Sequence, residues 1–250
     1  MGTFKENLHN YAQLAVEVGV NIQPDQILYI SASTDAVELT RLIAEKAYDV
    51  GARQVIVDFS DDVLSRLRFE KAPHDSFEEF PEWKVMEREQ LVEKGAAFMS
   101  IVSQSPDLLS GVDSNKIAAF QKASGKALEK YRQALQSDKF SWTVIAAPSK
   151  AWANKVFPEL AEEEQVPALW EAIFKAVRAD VENPVEAWQT HDQTLHEKVD
   201  YLNDKKYMKL HYRAPGTDLT VDLPTGHLWC GAGSLNEKGH AFMANMPTEE

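Results

Sequence analysis

The chain has 250 residues, 44% of them hydrophobic and 10% aromatic, enough to bury a sizeable core, which excludes a disordered chain. Its formal net charge of −13 opposes long-range encounter with nucleic acid or an anionic membrane surface. No apolar run reaches the roughly eighteen residues of a membrane span, no basic and apolar leader opens the chain, and Cys230 is the single cysteine, so a cytoplasmic protein is expected.

Phe4, Leu8, Tyr11, Ala15 and Val18 fall on one helical face. Pro24-Asp25 then turns into Ile27-Leu28-Tyr29-Ile30, which reads as a strand buried on both faces. Asp35 with Glu38 marks a helix start, Leu39, Leu42, Ile43 and Ala47 carry its stripe, and Gly51 ends it before Val55-Ile56-Val57, expected to be the next buried strand. This is a βαβ unit, which requires parallel strands. A helix over Val63 to Phe69, a loop at Pro73-His74-Asp75 and a helix carrying Phe80, Trp83 and Met86 follow. Ala97 to Val102 predicts a third strand and Trp142 to Ala146 a fourth. One long helix with Ile117, Phe120, Leu128, Tyr131 and Leu135 on one side is expected between them. The sum is a doubly wound α/β layer.

Two more helices are expected next. Val166, Leu169, Trp170, Ile173, Phe174 and Val177 form a wide stripe, with Glu162, Glu163 and Glu164 at its favourable N-terminal end. Asn183-Pro184 caps a second helix, on which Trp188, His191, Leu195, Val199 and Leu202 share a face. From about Lys206 the pattern becomes strict alternation. Met208, Leu210 and Tyr212 oppose Lys209, His211 and Arg213, a turn comes at Ala214-Pro215-Gly216, and Leu219, Val221 and Leu223 alternate with Thr220 and Asp222. That predicts an antiparallel hairpin with one polar face, and everything beyond Lys206 is expected to be loosely held.

No dinucleotide-binding glycine pattern, phosphate loop or nucleophile elbow is present. The turn Ser31 to Asp35 could offer amides to an anion, but helix capping is the favoured reading. The seven histidines are scattered. His191 and His196 stand five apart and share no helical face, and His191 within its stripe is favoured as a satisfied core or interface residue over a ligand. Cys230 lacks a CxxC partner and is expected to be a small buried residue. At the end, Glu249 and Glu250 follow Pro247 and a strand-like Ala241-Phe242-Met243. Paired carboxylates suit a hydrolytic dimetal centre, although a bare Glu-Glu is more often solvated surface.

Several segments in order resemble the aminopeptidase T/aminopeptidase S family of metal-dependent aminopeptidases. They are Phe140 to Val144 before Pro148, Ala151-Trp152-Ala153 before Phe157-Pro158, and Asn183 to Trp188 with His191. Gly216 to Pro224, Gly226-His227-Leu228-Trp229 and Asn245 to Glu250 complete the series. The resemblance runs end to end and implies an N-terminal α/β domain over residues 1–190. It places over 191–250 a linking helix and the beginning of an α+β catalytic domain with antiparallel hairpins. It further implies a homodimer that removes N-terminal amino acids from peptide substrates through a water activated by two divalent metal ions, zinc, cobalt or magnesium. In the family motif Pro-Thr-Glu-Glu supplies a glutamate ligand, which falls on Glu250, with Glu249 as the alternative. The other ligands of the family lie further along, so the site is expected to be incomplete and this chain inactive alone. Catalytic and substrate-binding side chains stay unassigned. The alternative is a non-catalytic α/β module that binds a small ligand or a partner at its strand ends.

Overall fold

The computed structural model describes residues 2–247. Helix α1 (Phe4–Leu14) opens on a capping box: Thr3 accepts from the Glu6 amide and the Glu6 carboxylate accepts from the Thr3 amide. Its Leu8, Tyr11 and Leu14 face inward, and the chain continues through a single turn of π-helix, Ala15–Gly19. Strand β1 (Ile27–Ser33), helix α2 (Val37–Asp49) and strand β2 (Gln54–Ser60) form the first βαβ unit. Gly51 turns between α2 and β2 at φ +94°, a conformation that a side chain would strain. Helices α3 (Asp62–Lys71) and α4 (Glu82–Glu93) lead to β3 (Ala97–Val102), and α5 (Ser114–Ala127) and α6 (Glu129–Gln136) lead to β4 (Trp142–Ala146). The four strands are parallel in the order β2-β1-β3-β4. This is the expected α/β layer.

Alternate residues of the central strands feed two cores. Leu28, Ile30 and Met99 join Leu8, Tyr11, Leu39 and Ile43 on one face, together with residues of α8 (Glu162–Ala176) and α9 (Pro184–Lys205). Tyr29 and Phe98 are paired in register and join Phe140, Leu91 and Tyr131 on the other. The Phe98 ring lies 4.5 Å from that of Phe140 and 5.2 Å from that of Tyr131, and the Arg88 guanidinium lies 4.0 Å over Tyr29. Each fully buried large apolar side chain of this kind stabilises the fold by about 1.5–3 kcal/mol. Because order places β2 at an edge, Val55 to Val57 are half-buried rather than enclosed. The long helix between β3 and β4 is broken at Leu128, and Trp83 and Met86 stand 63% and 53% exposed rather than in a core. The periodicity located those helices but not which side of α4 the sheet would cover.

A short helix α7 (Lys150–Val156) precedes α8, and α9 runs unbroken across residue 190. Strands β5 (Lys209–Ala214) and β6 (Thr217–Asp222) make the expected antiparallel hairpin around Pro215-Gly216. Leu210 faces Val221 and Tyr212 faces Leu219, while Lys209 pairs Asp222 and Arg213 pairs Asp218 on the opposite face. Tyr212 and Leu219 remain half exposed. The residues beyond Lys206 nevertheless divide into two parts, which corrects the expectation of uniform looseness. Strands β7 (Ser234–Leu235) and β8 (Ala241–Phe242) return to the α/β layer, and Phe242, Met243 and Met246 belong to its buried core. Among the described residues, no helix is long and apolar enough to cross a membrane.

Candidate functional site

The returning segment is held at both ends. Asn236 begins a tight turn closed by Gly239, whose amide donates to the Asn236 carbonyl at 2.8 Å. The Asn236 side chain accepts from the amides of Lys238 and His240, each at 3.0 Å, and donates to Ser141 Oγ at 2.9 Å. That last bond is buried and fixes the turn to the start of β4. Asn21, in the left-handed region at φ 45°, donates from its side chain to the Ala241 carbonyl at 2.7 Å.

The next residues are clamped between a helix end and a sheet edge. The Met243 amide donates to the carbonyls of Val18 and Gly19, at 3.2 and 2.8 Å. These are last-turn carbonyls, which lack partners inside their own helix. On the other side, Val144 donates to the Ala244 carbonyl at 2.8 Å and accepts from the Met246 amide at 3.0 Å. Val144 and Asn245 thus form a parallel bridge, and residues 244–246 extend the sheet beyond β4. The shared direction carries Met246 and Pro247 toward the carboxyl end of the strands, the end at which open α/β sheets bind ligands.

Glu250 and its alternative Glu249 lie outside the described residues. Their chemistry, adjacent carboxylates with hard oxygen donors, suits a divalent cation. Among the described residues, no group of three or more His, Cys, Asp and Glu side chains could hold a metal ion. Of the scattered histidines, His191, His196 and His211 have other partners, whereas the buried Nδ1 of His240 has no hydrogen-bond partner among the described residues. His191 Nδ1 lies 3.3 Å from an Arg178 guanidinium nitrogen and its ring meets Trp188 edge-on at 5.6 Å, consistent with a satisfied residue. His196 Nδ1 faces the Asp192 carbonyl at 2.9 Å, and His211 Nε2 faces Asp218 at 2.6 Å across the hairpin. The turn after β1 is a cap: Ser33 Oγ accepts from the Asp35 amide, and Thr34 donates to Asp61 at 3.0 Å. Asp61 is held below the usual carboxylate range by the Leu64 amide first and the Thr34 hydroxyl second. A negative charge so stabilised disfavours an anion there. Cys230 is exposed, which corrects its expected burial; the adjacent Trp229 is held by Asn203 of α9, to whose side-chain oxygen its amide donates at 2.8 Å.

Sequence reasoning missed Asn236, Asn21, Gly19 and Val144 as the residues that hold the segment. Asn236-Glu237-Lys238-Gly239 carries a turn signal that could have located the first. The other three act across more than a hundred residues of sequence and leave no local signal.

A cleft of about 460 Å³ also opens at the strand ends, lined by Asp35, Pro148, Lys150, Glu162, Glu163 and Trp170. Its Lys150 and Glu162 face each other at 3.7 Å, and the further carboxylates of Asp35 and Glu163 leave the lining net acidic.

Comparison with known proteins gives a consistent result. The family described as thermophilic metalloprotease (M29) matches residues 4–250. Aminopeptidase AmpS of Bacillus subtilis (strain 168) is 58% identical over 250 residues, covering 100% of this chain and 61% of that protein. Aminopeptidase 2 of Geobacillus stearothermophilus is 44% identical over 250 residues, all of this chain and 60% of the relative. Among solved structures, wild-type AmpT from Thermus thermophilus superposes with a TM-score of 0.92 at 38% identity, covering 99% of this chain and 61% of that one. The chain therefore spans about three-fifths of the length of the curated relatives it matches.

Proposed function

The chain belongs to the thermophilic metalloprotease (M29) family, and on that premise we propose that it is part of a metal-dependent aminopeptidase. In this reading it contributes to releasing N-terminal amino acids from peptides. The observation that carries the proposal is the end-to-end match to aminopeptidases, joined to a structure that builds the approach to the Pro247-Thr248-Glu249-Glu250 motif into its core.

The finer parts of the reading are proposals as well. Glu250, with Glu249 as the alternative, is a ligand to one of two divalent cations, zinc, cobalt or magnesium. Bound there, such a pair would supply an activated water and polarise the scissile carbonyl. What the described residues contribute is placement: β4, the π-helical turn and the Asn236 turn fix the backbone that leads into the motif. Since they supply no further ligand cluster, these 250 residues alone are inactive. The division at about residue 190 is part of the proposal, with α9 as the link and β5–β6 opening the catalytic part. A homodimer and a cytoplasmic location complete it.

Leucyl-p-nitroanilide with micromolar zinc or cobalt tests the proposal. The protein expressed to the stop codon of its own gene should show chelator-sensitive turnover, and residues 1–250 alone should show none. Absence of turnover in the former overturns the aminopeptidase reading. Robust turnover by the latter overturns the incompleteness of the site.

A further inference from the structure

We infer that Gly19 is a positioning residue for the proposed reaction, acting through Met246 on the segment that enters the Pro247-Thr248-Glu249-Glu250 motif. The inference rests on the proposed ligand role of that motif.

The geometry is a three-part socket. A Cβ built on Gly19 would lie 3.2 Å from Met246 Sδ, 3.2 Å from Thr143 Cγ2 and 3.2 Å from Thr143 Oγ1. Such spacing is tighter than carbon side chains ordinarily adopt, so a methyl at residue 19 must displace its neighbours by a few tenths of an ångström. Thr143 is 1% exposed on β4 and backed by the sheet, whereas Met246 is the last buried residue before Pro247. A flexible thioether one residue from the motif yields more readily than a β-branched side chain in a strand. Displacement therefore falls on Met246, the residue that leads into Pro247.

Backbone bonds make Gly19 specific to this task. Its carbonyl accepts from the Met243 amide at 2.8 Å, and Met246 donates to Val144 at 3.0 Å. The same residue thus sets the start of the segment through its carbonyl and the end through its missing side chain. Nothing in the helix itself requires glycine here, because residue 19 lies outside the left-handed region. Alanine favours helical conformation over glycine. A substitution that helps the helix and harms the motif separates positioning from folding.

The test is Gly19→Ala, alone and combined with Thr143→Ala, which removes both Thr143 atoms that crowd the new methyl. In the 250-residue chain without metal, amide exchange at Met243 and Met246 should accelerate in Gly19→Ala while amides of β1 and β3 are unchanged. In the protein expressed to its stop codon, kcat should fall by about three- to tenfold with KM changed less than about twofold, as misplacement of a reacting group predicts. The double variant should recover both readouts. Unchanged exchange and kcat in Gly19→Ala, acceleration spread evenly over β1 and β3, or failure of Thr143→Ala to rescue would each overturn the inference. If the unsubstituted protein shows no turnover, the aminopeptidase reading fails separately, and local exchange with its rescue then decides whether the socket exists.

Discussion

Met246 donates its amide to the carbonyl of Val144 at 3.0 Å, and the Val144 amide donates back to Ala244 at 2.8 Å, so a residue near the end of the chain completes the edge of a sheet begun at Ile27. The pairing is parallel and makes residues 244–246 a short continuation of the β2-β1-β3-β4 order. An edge strand exposes unpaired backbone groups, and here a segment of the same chain covers them. The approach to the motif that the aminopeptidase reading depends on, residues 243–246, is thereby tied to the α/β layer rather than suspended from the hairpin.

Asn236→Ala tests the anchor of that segment. The change removes the buried bond to Ser141 Oγ and leaves the amides of Lys238 and His240 without their acceptor. Stripping partners from buried polar groups costs about 1–3 kcal/mol. Urea unfolding should show a free energy of unfolding lower by that amount, read as a lower midpoint with the slope unchanged. An unaltered midpoint would show that Asn236 does not anchor the turn.

Tyr11 probes the carboxyl end of β4. Its buried hydroxyl donates to the Ala146 carbonyl and accepts from the Ala146 amide, both at 2.9 Å. Tyr11→Phe leaves both backbone groups unpartnered and should cost about 1–3 kcal/mol. Burial, opposed by the Ala146 bond, raises the phenol above its ordinary value. The unfolded chain therefore ionises first, and the stability contribution, complete below about pH 10, is lost as pH rises from there toward the folded value. In Tyr11→Phe the alkaline decline should become shallower, with Tyr29 and Tyr131, whose burial also raises them, accounting for the remainder. Identical alkaline profiles for the two proteins would contradict this assignment.

Limited proteolysis should cut the β5–β6 region first. The hairpin exposes both faces, and Lys205, Lys206, Lys209 and Arg213 offer trypsin sites there. Residues 234–246 should stay bound to the α/β layer after the first cut, because Met243 and Met246 are clamped from two sides. Mass spectrometry of the native complex after brief digestion checks this. Immediate release of the 234–246 segment would show that the clamp is weak.

Glu250→Gln and Glu249→Gln separate the two proposed ligands in the protein expressed to its stop codon. Glutamine keeps the shape of glutamate but removes the charge that offsets a cation. Glu250→Gln should lower metal content and turnover together, and Glu249→Gln should leave metal content near normal. Metal analysis of both purified variants decides it. Depletion in Glu249→Gln alone reverses the assignment, and no depletion in either removes the motif from the metal site.

Local pattern in the sequence determined the strands and helices of the α/β layer, because burial against a sheet demands apolar residues at fixed spacing. Leu28 and Ile30, and the 3.6-residue stripe of α8, are legible for that reason. The alternation of β5 and β6 is legible too, since a hairpin needs contacts across one turn. Sheet order is not a local property: β2 became an edge, and Val55 to Val57 stayed half-buried, because β3 inserts beside β1. Neither is the role of Gly19, which appears in the sequence as an ordinary glycine after an apolar helix. Tertiary packing alone brings it against Thr143 and Met246, at separations of more than a hundred and more than two hundred residues. Contact at such distances arises from how whole layers stack, and no period within a window of the chain can encode it.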